Sequence, residues 1–302
     1  MISKALADSF GVNLFRKGAI PIKGRVIRSR SKEFTILADN KEYVCVARGN
    51  LKLSDIKIVT GDIVEFDNGV ITKIYERTTS ISRPRVANVD SVNIVIAHEP
   101  EPDYLLIDKL IIQCRQAKIG VYITVNKCDL SNKTSEYVLA NYKGAVDDIF
   151  IVSAITGEGI ERLKNTLKNT LCSFAGQSAV GKTSIVNAIF DIDKRVNSLS
   201  DKTGRGRHTT TSREIHYCDD IMIVDTPGFS ALDAQVESNE LCNYYSDFAP
   251  YLGKCYYVGC AHVAEPDCLV KDAVLDGKIS KERYNRYCQI YKEIKEYEKR
   301  RY

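Results

Sequence analysis

The stretch that decides the fold is Leu171-Cys172-Ser173-Phe174-Ala175-Gly176-Gln177-Ser178-Ala179-Val180-Gly181-Lys182-Thr183-Ser184. Its first five residues form an apolar run of strand length. The next eight, Gly176 to Thr183, match the pattern G-x-x-x-x-G-K-S/T, and the residues after them up to Phe190 read as a helix. Strand, glycine loop and helix in that order form a phosphate-binding P-loop. Its glycines let backbone N–H groups turn toward an anion, and the helix N-terminus adds positive potential. Lys182 is placed to reach the β- and γ-phosphates and the Thr183 hydroxyl to ligate Mg²⁺, with Gln177, Ser178, Ala179, Val180 and Ser184 completing the loop and first turn.

Working outward, a second apolar run, Ile221–Val224, ends in Asp225-Thr226-Pro227-Gly228. A carboxylate at a strand's end can hold Mg²⁺ through water, and Gly228 can give its N–H to the γ-phosphate. A third run, Val121–Val125, leads into Asn126-Lys127-Cys128-Asp129. The Asp129 carboxylate can accept guanine N1–H and N2–H together, a donor pair that adenine lacks. Asn126 can hold neighbouring loops, and the Lys127 stem can lie along the base. A fourth run ends at Val152 and leads into Ser153-Ala154, where the Ala154 N–H can meet guanine O6. These motifs predict a GTP/GDP site with Mg²⁺. The base motifs precede the phosphate motifs, the reverse of the usual order, so the domain is predicted to be circularly permuted.

Between P-loop and Asp225 lies Thr203-Gly204-Arg205-Gly206-Arg207-His208-Thr209-Thr210-Thr211, a switch-like stretch. A threonine there can ligate Mg²⁺ and sense the γ-phosphate, with Thr210 favoured and Thr209 as the alternative. Phe229 follows Gly228 where many GTPases carry a water-orienting glutamine. His208 is the candidate to position water, and a packing or solvated histidine is the alternative. Slow intrinsic hydrolysis, raised by a partner, is expected, with no strong potassium requirement. Because the D-x-x-G motif leads straight into the C-terminal part, nucleotide state is expected to couple to that part through residues 229–240.

The rest of the chain divides accordingly. Residues 1–80 hold five short β-rich runs (Gly24–Ser29, Glu33–Ala38, Tyr43–Ala47, Asp62–Asp67 and Val70–Tyr75), which fit an OB-fold barrel best. Thr78–Asn88 reads as a linker. Residues 84–236 alternate wholly apolar runs with helical patterns, predicting a parallel sheet covered on both faces. Residues 237–302 read as helical, with Glu240–Phe248 and Ser280–Tyr302 as helices around the cluster Cys255-x4-Cys260-x-His262-x5-Cys268. Three thiolates and an imidazole make a closed set for one structural Zn²⁺. The other seven cysteines are scattered. No apolar run is long enough to span a membrane and no signal-peptide core is visible, so the chain is expected to be cytoplasmic, without a membrane partner, and monomeric. The net charge of +4 permits nucleic-acid binding without demanding it. The basic residues near the C-terminus alternate with glutamates, which suits a solvated helix or a phosphate-contacting face.

The combination of N-K-C-D, then G-Q-S-A-V-G-K-T, then G-R-H-T-T-T, then D-T-P-G-F, then the Cys/His cluster closely resembles the ribosome-small-subunit-dependent GTPase A (RsgA) family. The resemblance implies an OB-fold, a permuted GTPase domain and a zinc domain. It further implies late maturation of the small ribosomal subunit, GTP hydrolysis stimulated by that subunit, and contact with its rRNA through the outer domains. It maps the family's proposed catalytic histidine onto His208 and its zinc ligands onto Cys255, Cys260, His262 and Cys268. Ala179 stands where the family's P-loop commonly has glycine. Two other readings of the residues are a GTP-regulated adaptor for a protein or membrane-associated partner, and a nucleotide-binding module without useful hydrolysis.

Overall fold

The computed structural model describes residues 21–30, 32–47, 57–82, 85–190, 214–225 and 236–301. The first five strands are β1 (Ile22–Arg30), β2 (Glu33–Ala38), β3 (Lys41–Ala47), β4 (Ile63–Asp67) and β5 (Val70–Ile74). They close into a barrel in the order β1-β2-β3-β5-β4, the order of an OB-fold. Alternation along the strands sends Val26, Phe34, Ile36, Cys45, Val64, Phe66 and Ile71 into one core. The turn Asp39-Asn40 links β2 and β3 with both residues at positive φ, a conformation that Asp and Asn tolerate.

The Thr78–Asn88 stretch is not an open linker. It holds a small hairpin of β6 (Ser80–Ser82) and β7 (Arg85–Ala87). Ile81 and Val86 are buried in the same core as the following sheet, and the Asn88 side chain donates to Gly61 O of the barrel at 3.0 Å. The Pro84 and the mixed charges masked a pattern only three residues long on each side.

The central sheet has six strands: β8 (Ser91–Ala97), β9 (Gly120–Asn126), β10 (Asp148–Ile151), β11 (Leu171–Ala175), β12 (Ile215–Cys218) and β13 (Ile221–Asp225). Their spatial order is β10-β9-β8-β11-β13-β12. All are parallel except β12, an antiparallel edge strand that the expectation of a parallel sheet missed. Every residue of β8 and of β11 is buried, as strands covered on both faces require. One face is covered by α1 (Tyr104–Gln116) and α2 (Lys133–Tyr142), the other by α3 (Ile160–Thr166) and α4 (Lys182–Phe190). The Asp103 carboxylate caps α1 by accepting from Leu106 N at 2.9 Å. The chain reaches β11 after β10, yet β11 lies beside β8. This neighbour relation is what a circular permutation leaves intact.

The C-terminal part carries α5 (Leu269–Leu275) and α6 (Lys281–Arg301). Glu240–Phe248 forms two 3-10 turns, Leu241–Tyr244 and Ser246–Phe248, where an α-helix was expected. Tyr245, Phe248, Tyr287 and Ile290 pack in a core that also takes Ile112 of α1. Next to it lies a buried ionic cluster. Arg283, fully buried, donates through Nε to Asp108 of α1 at 3.0 Å and through Nη1 to Asp247 at 2.8 Å. Arg286 pairs with the other Asp108 oxygen and donates to the Tyr137 and Tyr142 hydroxyls. Burial works against the Arg283 charge, and Asp108 and Asp247 outweigh it, so its pKa stands above the ordinary guanidinium value. Asp108→Ala strands two guanidinium groups in the interior and is expected to lower unfolding free energy by about 3–5 kcal/mol, read from the denaturant midpoint. Combining Asp108→Leu, Asp247→Leu, Arg283→Met and Arg286→Met, which leaves no charge of the cluster unpaired, should lose far less.

Candidate functional site

Parallel strands β8, β9, β10, β11 and β13 end at the same edge of the sheet, and the order reverses between β8 and β11. Ligands of open α/β sheets bind outside such carboxyl ends. β9 delivers Asn126-Lys127-Cys128-Asp129 there, β10 delivers Ser153-Ala154, β11 the loop 176–181, and β13 Asp225.

The glycine loop fits this edge tightly. Gly176 has φ +136°, and a Cβ there would lie 2.1 Å from Val95 O on β8. Gly181 has φ +96°, and its Cβ would lie 2.3 Å from Nδ2 of Asn126. Asn126 is buried and uses that amide twice. Nδ2 donates to Val180 O at 2.9 Å, and Oδ1 accepts from Ala154 N at 3.2 Å. One side chain on β9 thus brackets the phosphate loop and the Ser153-Ala154 loop. The Ala154 N–H, expected to face guanine O6, is engaged by Asn126 here. Lys127, at φ +65°, places Nζ on Glu99 O (2.8 Å) and Ala179 O (3.0 Å), so its stem lies across the base motif toward the phosphate loop. Asp129 is exposed next to it, with its carboxylate open to a ligand. Ser153 is fully buried and accepts from Thr156 N at 3.2 Å, which shapes the turn.

Lys182 opens α4 and folds back into the loop, with Nζ donating to Gly176 O at 2.9 Å and Gln177 O at 2.8 Å. Thr183 and Ser184 are exposed on the first turn of α4, and Ser178 and Ala179 on the loop. Ala179 has φ +66°, a left-handed conformation that costs a residue with a Cβ about 1–2 kcal/mol. Ala179→Gly is therefore expected to raise the stability of the nucleotide-free protein by about 0.5–1 kcal/mol after the entropy that glycine adds to the unfolded chain. A melting temperature unchanged or lowered would show that the methyl group contributes more packing than strain. Thr203 to Thr211, including His208, Thr209 and Thr210, and also Gly228 and Phe229, lie outside the described residues; for Asp225 only the backbone is described.

The four Cys/His residues converge. Their ligand atoms lie within 4.8 Å of one another. Cys255 Sγ is 3.5 Å from His262 Nδ1 and 4.0 Å from Cys268 Sγ, and His262 Nδ1 is 3.4 Å from Cys268 Sγ. A tetrahedral zinc ion at about 2.3 Å from sulfur and 2.0 Å from nitrogen separates sulfurs by about 3.8 Å and sulfur from nitrogen by about 3.5 Å. The set fits. Burial keeps the His262 imidazole below its ordinary pKa and hence neutral, the form that ligates. Burial also pushes the Cys260 thiol up to about 12, so its thiolate needs a cation alongside it. Sequence reasoning missed Glu265. Its carboxylate accepts from Ala261, Val263 and Ala264 N–H at 2.9 to 3.1 Å and holds the loop between ligands in shape. A lone glutamate gives no signal in sequence; its spacing from His262 means something only once the loop is folded. Tyr284 and Tyr287 hydroxyls donate to His262 O and Ala261 O and tie the same loop to α6.

Comparison with known proteins agrees with this geometry. The RsgA GTPase family matches residues 74–235 and the RsgA N-terminal domain residues 23–72. A small ribosomal subunit biogenesis GTPase RsgA from Caldanaerobacter subterraneus subsp. tengcongensis is 39% identical over 290 residues, covering 93% of this chain and 98% of its own. The protein of the same description from Ruminiclostridium cellulolyticum is 38% identical over 267 residues, covering 84% and 87%. Among solved structures, YjeQ from Thermotoga maritima superposes with a TM-score of 0.78 at 32% identity, covering 91% of this chain and 99% of its own. YloQ, described as a circularly permuted GTPase, superposes with a TM-score of 0.78 at 25% identity, covering 94% and 98%. With barrel, permuted sheet and Cys/His cluster all in place, this chain belongs to the RsgA GTPase family.

Proposed function

We propose that this chain hydrolyses GTP to GDP and phosphate at the carboxyl edge of its sheet and serves in late maturation of the small ribosomal subunit, whose rRNA its outer domains contact. The observation that carries the reading is Asn126, which holds phosphate loop and base loop as one site in a chain of the RsgA family. In this reading Asp129 selects guanine, Lys182 and the N–H groups of residues 176–183 bind phosphate, and Thr183 with Thr210 holds Mg²⁺, which neutralises the charge that develops on the phosphates. Asp225 holds the same ion through water, Gly228 meets the γ-phosphate, and His208 positions the attacking water. Cys255, Cys260, His262 and Cys268 hold one zinc ion, which keeps the C-terminal part folded. The protein works as a cytoplasmic monomer; no helix among the described residues is long and apolar enough to cross a membrane.

The test is GTP hydrolysis with and without purified small ribosomal subunits. Strong stimulation by the small subunit and none by the large one is expected, with binding to the subunit weakening steeply as salt rises, since each phosphate contact releases counterions. No stimulation, with salt-insensitive partner binding, would favour the adaptor reading.

A further inference from the structure

Two contacts sit where the nucleotide-sensing motifs rejoin the described chain, and each reaches a different outer domain. The first is at Glu214, three residues beyond Thr211 and next to edge strand β12. Glu214 forms an antiparallel bridge with Arg28 of barrel strand β1, and its carboxylate takes the Arg28 guanidinium. Both side chains are only about one-fifth exposed, at 21% and 19%. Three residues further, the Tyr217 hydroxyl donates to Glu42 of β3 at 3.0 Å. The edge of the GTPase sheet is thereby fastened to the barrel. The second contact is at Ser238, ten residues beyond Gly228. Its N–H donates to one oxygen of Glu298 at 2.8 Å and its hydroxyl to the other at 3.0 Å, and Ser238 is only 5% exposed. Glu298 lies in the last turns of α6, whose first turns are clamped to α1 through Arg283, Arg286 and Asp108.

A segment that senses the γ-phosphate must change position relative to a fixed point. Here the chain beyond the Thr203–Thr211 motif is tied to the barrel, and the chain beyond Asp225-Thr226-Pro227-Gly228 is tied to the Cys/His domain. Glu214 comes just before the Ile215–Val224 pair, so the first tie lies beside the Asp225 end of β13, at the nucleotide edge of the sheet. We propose that Arg28–Glu214 and Ser238–Glu298 are positioning contacts through which the barrel and the Cys/His domain set the two nucleotide-sensing segments, so that a partner seated on those domains controls hydrolysis. The partner in this statement rests on the proposed function; the contacts and their link to nucleotide state do not.

The test uses full-length, zinc-loaded protein as wild type, Arg28→Gln, Glu298→Ala and Ser238→Ala. Hydrogen exchange is compared between GDP and a non-hydrolysable GTP analogue, and hydrolysis is measured with and without small subunits. In the wild type, nucleotide exchange should alter protection in residues 22–30 and in residues 290–301. Arg28→Gln should abolish the first response alone, and Glu298→Ala and Ser238→Ala the second alone. Basal kcat and KM should stay within about twofold, while subunit-stimulated kcat falls by about 5- to 150-fold, the usual range of coupling between sites, at unchanged KM for GTP. The reversed pair Arg28→Glu with Glu214→Arg should restore stimulation, which a merely misfolded variant would not do. Wild-type protection that ignores nucleotide state, or variants that keep the wild-type response, would overturn the proposal. A wild type that responds to nucleotide but not to the subunit would refute the ribosomal partner and leave the contacts standing.

Discussion

Lys182→Ala is expected to lower GTP turnover by about 10²- to 10³-fold, or 2.7–4 kcal/mol of transition-state stabilisation. The ammonium group already lies within the loop, held by Gly176 O and Gln177 O, so its charge is in place before the phosphates arrive. Preorganised charge of this kind acts where negative charge develops during phosphoryl transfer. Single-turnover hydrolysis at saturating GTP separates this loss from weaker binding. A fall below about tenfold would mean that the ammonium serves the fold of the loop and not the reaction. Lys182→Arg should not rescue, because a planar fork cannot occupy the space of a compact ammonium between two carbonyls.

Removing the metal should have the larger effect on structure. Structural zinc contributes roughly 10–16 kcal/mol of apparent binding free energy in small metal-bound folds, as much as or more than the 5–15 kcal/mol by which whole domains are stable. Cys268→Ser removes a ligand at the N-cap of α5, where serine can still cap the helix, so the expected loss is that of the metal. The variant is expected to carry no zinc by atomic emission and to be cut by protease within residues 250–280 while the barrel survives. Retention of one zinc per chain with unchanged proteolysis would sink the assignment. Chelation of the wild type should reproduce the variant.

The candidate sites could be read where their residues are local in sequence. The phosphate loop, the base motif and the four metal ligands each lie within a dozen or so residues, and β8 and β11 read as strands because all their residues except Asn93 are apolar or small; the structure buries every one of them. β12 was not legible. Its residues Ile215-His216-Tyr217-Cys218 are mostly half-buried at a sheet edge, and they follow a glycine- and arginine-rich stretch that suggests no strand. α5 is only seven residues long and starts at a metal ligand, too short for a helical period to show. The bridging by Asn126 was foreseen only as a general loop-holding role, since Val180 lies 54 positions away in sequence. Arg283 reads as one polar position on a tyrosine-striped helix. Its burial depends on Asp108, 175 positions earlier, a distance no spacing rule covers.

That separation has a consequence for synthesis. Chain growth completes α1, the sheet and every nucleotide motif before Arg283 exists. Until α6 emerges, Asp108 lacks Arg283 and Arg286, and the core around Ile112 lacks Tyr287 and Ile290, so α1 shows an unfinished face. Translation that stops before α6 would leave a product with all its GTP motifs and this face uncovered, a natural mark for chaperones and proteases. Residues 281–301 therefore pair the Asp108 carboxylate of α1 only after every nucleotide motif has been made.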